Sequence, residues 1–337
     1  MKIRPVNIAR IIAVIVTIAS IYIFAPWEHA LYYLKPGSES IQQELDDATQ
    51  SGFDGIIVYV QQKDQPAEIY ASGWHNRDLK IPARPDALFK IASIAKLYVA
   101  SAVTKLVASD RLSLDKTLAD YRPDLVARIE NAETITLRMM IQHTSGIPNF
   151  TDQPEFKWYE SNLDVLGMAL DKPALFEPGT DYSYSNTKYL LLEQIMTQEL
   201  GYHYTQYFNE VLLKPLGLER TYFSINDINT DELMSGHYVG YPHDHKMLDQ
   251  GYIATAEDVG IFLRALNDGT LLNKKEMEIY ASIYEFNHDG WVLGYTSIAR
   301  YHKDIDTVVI QFVSTVGNDI ELLRDIVYSR VMDIIRD

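Results

Sequence analysis

Residues 55–61 read GIIVYVQ, a run of β-branched and aromatic side chains that predicts a buried strand. Residues 68–74, EIYASGW, have a similar composition, and the polar residues 63–66 between the two runs predict a hairpin turn. Three more strands are predicted towards the other end of the chain, at residues 283–287, 294–302 and 307–315. Strands at both ends of the chain indicate one antiparallel sheet that is built from both chain ends.

Other stretches of the chain have the 3.6-residue spacing of helices. Helices are predicted at residues 40–49, from residue 93 onward, and at residues 187–200, 255–266 and 318–336. The predicted fold is therefore α/β (α+β), with helices flanking the antiparallel sheet. Residues 38–337 are predicted to form one domain, with a mainly helical insertion at about residues 110–250.

The composition excludes several classes of function. The chain has 337 residues, a formal net charge of −16 and no cysteine. Its first 27 residues contain three basic and no acidic residues, so the remainder has 27 basic against 46 acidic residues. A body of this charge repels phosphate backbones, so no nucleic-acid partner is predicted. The absence of cysteine excludes thiol catalysis, disulfides and cysteine-ligated metals.

The N-terminal 37 residues are predicted to be a membrane anchor and linker. Lys2, Arg4 and Arg10 precede the apolar residues 11–25, and Trp27 is suited to an interface. Residues 8–27 are predicted to cross the membrane, and the charge order places the acidic body outside the cytoplasm, in a periplasmic or extracellular location. A cleaved signal peptide is the alternative.

Residues 93–96, SIAK, place a serine at the start of a helix and a lysine one turn later on the same face. This arrangement pairs a nucleophile with a base, and the helix N-terminus favours a nearby oxyanion. The spacing alone is weak evidence, because it recurs at Ser113 and Lys116 and at Ser185 and Lys188. A serine at a helix start is more often only a cap.

Two further motifs follow in an order that suits acyl transfer. Tyr184-Ser185-Asn186 lies where a loop enters a helix, and His288-Asp289-Gly290 is predicted to end the strand that begins at residue 283. Acyl transfer by a serine needs a proton acceptor, a donor for the leaving group and two N–H groups for the oxyanion. A tyrosine and a lysine on either side of one serine can relay those protons.

With these three motifs, the chain from about residue 40 resembles the serine β-lactamase and penicillin-binding-protein superfamily. The resemblance is to its class C branch, which contains D-alanyl-D-alanine carboxypeptidases, AmpC-type β-lactamases and related esterases. Ser93 and Lys96 match the nucleophile motif, residues 184–186 match the Y-x-N motif, and residues 288–290 match the K-T-G position in its H-x-G form. Residues 143–147 and 251–258 resemble the segments between these motifs.

The resemblance implies a β-lactamase/transpeptidase-like fold and a role for each matched residue. Ser93 would form the acyl-enzyme, and Lys96 and Tyr184 would share the work of general base and general acid. Asn186 would orient the substrate and the lysine, and His288 would tune Tyr184. The oxyanion hole would be formed by the backbone N–H groups of Ser93 and Trp291. No metal or other cofactor is implied.

The third motif departs from the family at Asp289 and Trp291, where smaller and uncharged residues are usual, while Gly290 would let the substrate approach the strand. An aspartate beside the substrate would repel a carboxylate. The prediction is therefore a serine hydrolase for uncharged or cationic small-molecule or peptide substrates, as an esterase or D-peptide amidase. A D-alanyl-D-alanine carboxypeptidase, a β-lactamase and a non-catalytic sensor or scaffold are the alternatives.

Other histidines are interpreted as structural. His143 precedes a Thr-Ser-Gly turn, and a supporting role is predicted for it. His237, His243 and His245 lie near Asp244 in a segment that is predicted to be a solvated loop and not a metal site.

Overall fold

The computed structural model describes residues 5–24, 27–160, 163–249 and 251–337. Its main feature is a six-stranded sheet with the strand order β3-β2-β1-β10-β9-β8. The strands are β1 (Gly55–Gln62), β2 (Glu68–Asn76), β3 (Ile81–Pro82), β4 (Phe89–Lys90), β5 (Thr221–Tyr222), β6 (His237–Tyr238), β7 (Ile253–Ala254), β8 (His288–Val292), β9 (Tyr295–His302), β10 (Thr307–Val313) and β11 (Thr315–Val316). All pairings in the large sheet are antiparallel, and β1 from one end of the chain pairs with β10 from the other.

Helices cover both faces of this sheet. They are α1 (Pro5–Phe24), α2 (Trp27–Leu34), α3 (Ile41–Gln50), α4 (Ala95–Ala108), α5 (Leu118–Tyr121), α6 (Leu137–Ile141), α7 (Val165–Ala169), α8 (Asn186–Leu200), α9 (Tyr204–Phe208), α10 (Lys214–Leu216), α11 (Ala256–Asp268), α12 (Lys274–Ala281) and α13 (Ile320–Arg336). The helices predicted at residues 40–49, 187–200, 255–266 and 318–336 correspond to α3, α8, α11 and α13.

Alternation along β1 divides the core into two layers. Ile57 and Tyr59 pack into the larger core, which contains α4 and α11, whereas Ile56 and Val58 pack against α3 and α13. Such alternation follows from the two-residue repeat of a strand. The predicted α/β fold, an antiparallel sheet from both chain ends flanked by helices, is confirmed.

The strand predicted at residues 283–287 is wrong. The backbone N–H groups of Ile283 and Tyr284 both donate to the carbonyl oxygen of Tyr280, at 3.0 and 2.9 Å, and so continue the end of α12. Pairing with β9 begins only at His288. The third motif therefore opens a strand, whereas the sequence predicted that it would end one.

The region between β4 and β7 contains the long helices α4 and α8 together with several short helices and two-residue strands. Its small sheet, β4-β7-β5, fixes Phe89 and Lys90 against Ile253 and Ala254 just before the first motif. The division of the chain into residues 1–37, residues 38–337 and an insertion at about residues 110–250 stays a prediction.

No helix in the described part of the chain is both long enough and apolar enough to cross a bilayer. The predicted membrane span over residues 8–27 is therefore not supported. The predictions that concern Lys2, Arg4 and residue 25 lie outside the described residues.

Candidate active site

Ser93 lies on a sharp turn between β4 and α4. Ala92, directly before it, has a φ of 50°, in the left-handed region that side chains other than glycine rarely adopt. A 3-10 turn, Ala92–Ile94, then leads into α4. Unfavourable backbone of this kind persists where the surrounding structure holds it, and it is concentrated at functional sites.

Gly290 on β8 lets the strand and this turn approach closely. A Cβ at residue 290 would lie 2.5 Å from the carbonyl oxygen of Ile91 and 3.2 Å from the Cβ of Ala92. Any side chain at this position would therefore push the turn that carries Ser93 away from β8. The sequence assigned Gly290 to substrate approach, and the structure adds its role in packing the turn.

Two of the predicted residues, Tyr184 and Lys96, contact the Ser93 hydroxyl group, and a third, Asn186, contacts Lys96. Tyr184 Oη donates to Ser93 Oγ at 2.8 Å, and Lys96 Nζ donates to the same oxygen at 3.2 Å. Lys96 Nζ also donates to Asn186 Oδ1 at 2.8 Å, which fixes the ammonium group beside the serine. The first and second motifs, about 90 positions apart in the chain, thus form one hydrogen-bonded cluster.

Burial changes the acid–base properties of Lys96. Its side chain is buried, and desolvation lowers its pKa to about 7, against the opposing charge of Glu193. Its Nζ lies 4.8 Å from the ring centroid of Tyr184 and 5.2 Å from that of Tyr189. A lysine with this pKa exists in part as a neutral amine at neutral pH, so it can accept the serine proton.

Burial has the opposite effect on the pKa of Tyr184. Burial raises the pKa of Tyr184 well above its usual value, although its hydrogen bond to Ser93 lowers it in part. The phenol therefore keeps its proton at neutral pH and acts as a donor to Ser93. Of these two residues, Lys96 therefore has the pKa that better suits a general base near neutral pH.

Neighbouring loops hold the second motif in place. The N–H group of Ser185 donates to His143 Nδ1 at 3.2 Å, and the N–H group of Asn186 donates to Asn149 Oδ1 at 3.0 Å. The His143 ring packs on Tyr184 with 4.5 Å between centroids. Burial lowers the pKa of His143 to about 3, so the ring is neutral and its Nδ1 can accept the hydrogen bond. This arrangement agrees with the supporting role predicted for His143.

The third motif brings a neutral histidine close to the cluster. His288 Nδ1 lies 2.5 Å from the carbonyl oxygen of Asp289, and burial lowers the pKa of His288 to about 4. Its ring centroid is 6.4 Å from that of Tyr184. His288 thus carries no positive charge at neutral pH, in contrast to a lysine at the same position.

Asp289 does not face the site as the sequence suggested. It pairs with Ile298 of β9 and so lies on the sheet face that packs against α13, opposite to the face of His288 and Gly290. Its Oδ2 is 3.0 Å from Arg300 Nη2 and 4.0 Å from Arg324 Nη2. The carboxylate is therefore neutralised by arginines on the far face, and the expected repulsion of a substrate carboxylate by Asp289 is wrong.

Trp291 on β8 lines the same cavity as Ser93. Its Nε1 donates to Glu321 Oε1 at 2.8 Å, and its ring contacts Trp158 edge-on with 5.2 Å between centroids. Both contacts fix the orientation of the bulky side chain. The assignment of the oxyanion hole to the backbone N–H groups of Ser93 and Trp291 stays a prediction.

The serines and lysines of the two other Ser-x-x-Lys sequences do not form such a cluster. Ser185 is buried and donates to the carbonyl oxygen of Pro148, while Lys188 Nζ donates to the carbonyl oxygen of Ser183. Ser113 Oγ accepts from the N–H group of Asp115 in a turn, and Lys116 is exposed. Only at Ser93, among these three serines, do the lysine and a tyrosine both contact the hydroxyl group.

The prediction that His237 lies in a solvated loop is wrong. His237 is buried in β6, with its Nδ1 3.2 Å from Asp54 Oδ2. In the described ranges, no group of three histidine, aspartate or glutamate side chains is placed to hold a metal ion.

A family model described as Beta-lactamase matches residues 39–285, which is most of the chain. The chain belongs to the Beta-lactamase family. The predicted membership of the serine β-lactamase and penicillin-binding-protein superfamily and the predicted class of enzyme, a serine hydrolase, are thereby confirmed.

Two curated proteins are similar in sequence to part of this chain. Protein flp of Staphylococcus aureus strain MW2 is 30% identical over 154 residues, which cover 45% of this chain and 31% of that protein. Penicillin-binding protein 4 of Amycolatopsis lactamdurans is 33% identical over 159 residues, which cover 45% of this chain and 40% of that protein. The match thus spans less than half the length of either relative.

Solved structures resemble the chain over most of its length. The D-amino acid amidase from Ochrobactrum anthropi SV3, complexed with D-phenylalanine, superposes with a TM-score of 0.77 at 22% identity, covering 88% of this chain and 98% of that one. A D-stereospecific amidohydrolase from Streptomyces sp. gives 0.71 at 21% identity, covering 83% and 95%. At these identities the likeness establishes the fold, which is β-lactamase/transpeptidase-like as predicted.

In this Beta-lactamase family member, Ser93 opens onto a cavity of about 570 Å³. One part of the cavity, called the mouth, is lined by aromatic rings that contact one another in the order Phe150, Phe156, Trp158 and Trp291. The cavity continues past Lys96 to Val99 on α4. The part of the cavity that is lined by Lys96, Val99 and Glu193 is called the inner arm.

Sequence reasoning missed two residues of this site. Asn149 supports the second motif, and Glu193 lines the inner arm of the cavity. Glu193 lies seven positions after Asn186 on α8, and two helical turns place it on the same face. That spacing was the available signal, but only the fold shows that this face of α8 borders the cavity.

Proposed function

We propose that this protein hydrolyses ester or amide bonds through an acyl-Ser93 intermediate and prefers substrates without a carboxylate beside the scissile bond. The observation that carries the proposal is that Lys96 Nζ and Tyr184 Oη both contact Ser93 Oγ, at 3.2 and 2.8 Å. A weak nucleophile needs an adjacent base and a proton donor, and this cluster supplies both.

The pKa directions suggest an order of proton transfers. Neutral Lys96 takes the proton of Ser93 Oγ as the oxygen forms a bond to the substrate carbonyl carbon. Tyr184 then gives its proton to the departing alcohol or amine as the bond from carbon to the leaving group breaks, and the lysine reprotonates it. Water repeats the sequence on the acyl-enzyme and releases the acid. The backbone N–H groups of Ser93 and Trp291 would stabilise the oxyanion.

The electrostatics of the site support the choice of substrate. A terminal carboxylate needs a cation to compensate its lost hydration. At the third motif His288 is neutral, and Arg300 lies with Asp289 on the other face of the sheet. The site therefore favours neutral or cationic esters and amides over peptides that end in free D-alanine and over penicillins.

The apolar mouth of the cavity supports a bulky or aromatic group next to the scissile carbonyl. The structural resemblance to a D-amino acid amidase and to a D-stereospecific amidohydrolase fits an amide or ester of an amino acid of D configuration. The proposed substrates are therefore amides or esters of D-amino acids.

Labelling with a fluorophosphonate tests the nucleophile. The wild-type protein is expected to be labelled and to hydrolyse a neutral aryl ester, and Ser93→Ala is expected to lose both activities. Ser113→Ala, in a matching Ser-x-x-Lys sequence outside the cavity, is the control and should retain both. Ester turnover by Ser93→Ala at the wild-type rate would refute the proposal.

A second measurement tests the substrate class. The kcat/KM for D-phenylalanine amide is expected to exceed that for a peptide that ends in D-alanyl-D-alanine and that for a penicillin. A preference for the carboxylate-bearing substrates would instead identify a carboxypeptidase or a β-lactamase.

We also propose that the catalytic domain acts outside the cytoplasm. The support comes from the sequence, where three basic residues precede the apolar residues 11–25. Protease added to spheroplasts, which have no outer-membrane barrier, should cleave the domain if this location is correct, and protection equal to that of a cytoplasmic marker would contradict it.

A further inference from the structure

The inner arm of the cavity ends in a carboxyl group surrounded by aromatic rings. Glu193 is partly exposed, and it lines the cavity that also contains Ser93. The rings of Tyr204, Phe223 and Tyr252 line the same end. Phe223 and Tyr252 meet at a right angle with 5.0 Å between centroids, and Tyr204 and Phe223 lie 6.4 Å apart. These four residues are called the inner cage below.

The hydrogen bonds of Glu193 keep its carboxyl group at the cavity wall. Tyr252 Oη donates to Glu193 Oε1 at 2.7 Å, and Tyr252 Oη lies 3.4 Å from Tyr204 Oη. The nearby cation is Lys96, whose Nζ already donates to Ser93 and Asn186. The catalytic cluster therefore uses the lysine, and Glu193 faces the cavity with phenol groups as its direct partners.

An inner cage of this composition suits an ammonium group. Aromatic rings attract a cation through their electron-rich faces, and a carboxylate at the base of the cage adds direct charge attraction. An anion would be repelled, and a neutral alkyl group would leave the carboxyl group without a compensating charge. Burial raises the pKa of Glu193 to about 7, so a bound cation would also favour its ionised form.

The spacing along α8 is compatible with a substrate that extends from the Ser93 cluster to Glu193. Asn186 and Glu193 lie seven positions apart on α8, which is about 10 Å along the helix axis. An acyl group with three methylenes between its carbonyl carbon and an ammonium nitrogen spans roughly 5 Å at ordinary bond lengths. The rest of the length is taken up by the bond from the serine oxygen to the carbonyl carbon at one end and by the contact between the cation and the carboxylate at the other.

We propose that the inner cage is a binding subsite for an alkylammonium group, and that substrates of this enzyme carry such a group on the acyl side of the scissile bond. The proposal rests on the proposed function for its statement about substrates. The subsite itself can be tested without chemistry.

The kinetic test compares two esters of the same shape. One is p-nitrophenyl 4-(trimethylammonio)butanoate, and the other is its uncharged isostere p-nitrophenyl 5,5-dimethylhexanoate. After division by their rates with hydroxide, the wild-type kcat/KM is expected to favour the cationic ester at least tenfold. In Glu193→Gln this ratio should fall to less than twofold. The ratio is measured within one protein, so a loss of folded enzyme does not affect it.

Glu160 supplies a matched control, because it is an exposed acid that lines the same cavity. Glu160→Gln removes the same charge and should leave the ratio within about twofold of the wild-type value. A ratio that falls in Glu160→Gln and persists in Glu193→Gln would place the cation elsewhere and overturn the proposal. An equal loss for both esters in Glu193→Gln would also overturn it, because Glu193 would then act only through Lys96.

Calorimetry separates this proposal from the proposed function. Pentyltrimethylammonium is titrated into Ser93→Ala and into Ser93→Ala/Glu193→Gln, neither of which needs to react. The Kd is expected to be at least tenfold lower when Glu193 is present, and equal values would overturn the subsite. If the wild-type protein hydrolyses neither ester, the proposed function fails, and this comparison of Kd values alone decides the subsite.

Discussion

Lys96 determines the pH dependence that we expect for this enzyme. Burial lowers its pKa to about 7, and the base must be neutral to act, so activity is lost as the pH falls through 7. We predict that kcat/KM for a neutral ester rises with pH, with a midpoint near 7. The pKa values of His143 and His288, about 3 and about 4, are too low to produce this step, whereas Glu193 also has a pKa of about 7 and must be distinguished from Lys96 by substitution. The measurement is a pH–rate profile with a substrate that does not titrate.

Two variants test the assignment of that midpoint. Lys96→Arg keeps a positive charge but cannot lose its proton, so kcat/KM should fall at least a hundredfold. In Glu193→Gln the negative charge that raises the pKa of Lys96 is absent, so the midpoint should move to lower pH. A wild-type profile that is flat from pH 5.5 to 8.5 would contradict the role of Lys96 as the base.

Asp289 is expected to affect stability slightly and substrate choice not at all. Its pair with Arg300 is partly exposed, and such pairs contribute about 0.2–1 kcal/mol to the free energy of unfolding. Asp289→Asn should therefore cost no more than about 1 kcal/mol. The ratio of kcat/KM for a neutral ester to that for a matched carboxylate ester should change less than twofold. A selective gain for the carboxylate ester would show that Asp289 does act on the substrate.

At the scale of elements, the packing of β8 against the Ser93 turn controls the nucleophile. A Cβ at residue 290 would lie 2.5 Å from the backbone oxygen of Ile91, so Gly290→Ala must displace the turn or the strand. We predict a fall of at least a hundredfold in kcat and a lower Tm, since misplacement by about 1 Å is enough to cost that much. Steady-state kinetics and thermal unfolding measure the two effects.

Gly37→Ala is the control for this substitution, because no atom lies within 4 Å of the added Cβ. It should leave both kcat and Tm close to wild type. Wild-type kcat in Gly290→Ala would show that the turn tolerates a shift of β8, and the proposed coupling between the two elements would be wrong.

At the scale of the whole molecule, stability depends on the strands that join the two ends of the chain. Ile310 on β10 is fully buried and pairs with Tyr59 of β1, whereas Ile81 at the sheet edge is 42% exposed. Ile310→Ala should lower the free energy of unfolding by about 2–5 kcal/mol. Ile81→Ala should change it by about 0.5 kcal/mol or less. Urea unfolding followed by circular dichroism measures both values, and equal losses would contradict the central position of β10.

The sequence by itself determined the fold class and identified the residues that the structure brings together around Ser93. The strands at residues 55–61 and 307–315 were predictable because their composition is local, and their pairing followed from the layered architecture of such chains. The motifs at Ser93, Tyr184 and His288 were predictable because they resemble, in the same order, the three motifs of the serine β-lactamase and penicillin-binding-protein superfamily. The helix starts and glycine ends of α8 and α11 were equally local signals.

Only the tertiary structure decided which way several of these residues face. The strand of the third motif begins at His288 and not at residue 283, and the two-residue repeat then places Asp289 on the far face beside Arg300. Sequence could not distinguish Ser93 from Ser113 and Ser185 by spacing, since the difference lies in a contact with Tyr184. Glu193 on α8 likewise enters the site only because α4 and α8 enclose one cavity. The outcomes at Ser93 and Glu193 depend on contacts between residues that are distant in the chain, and the spacing of residues within one segment does not show such contacts.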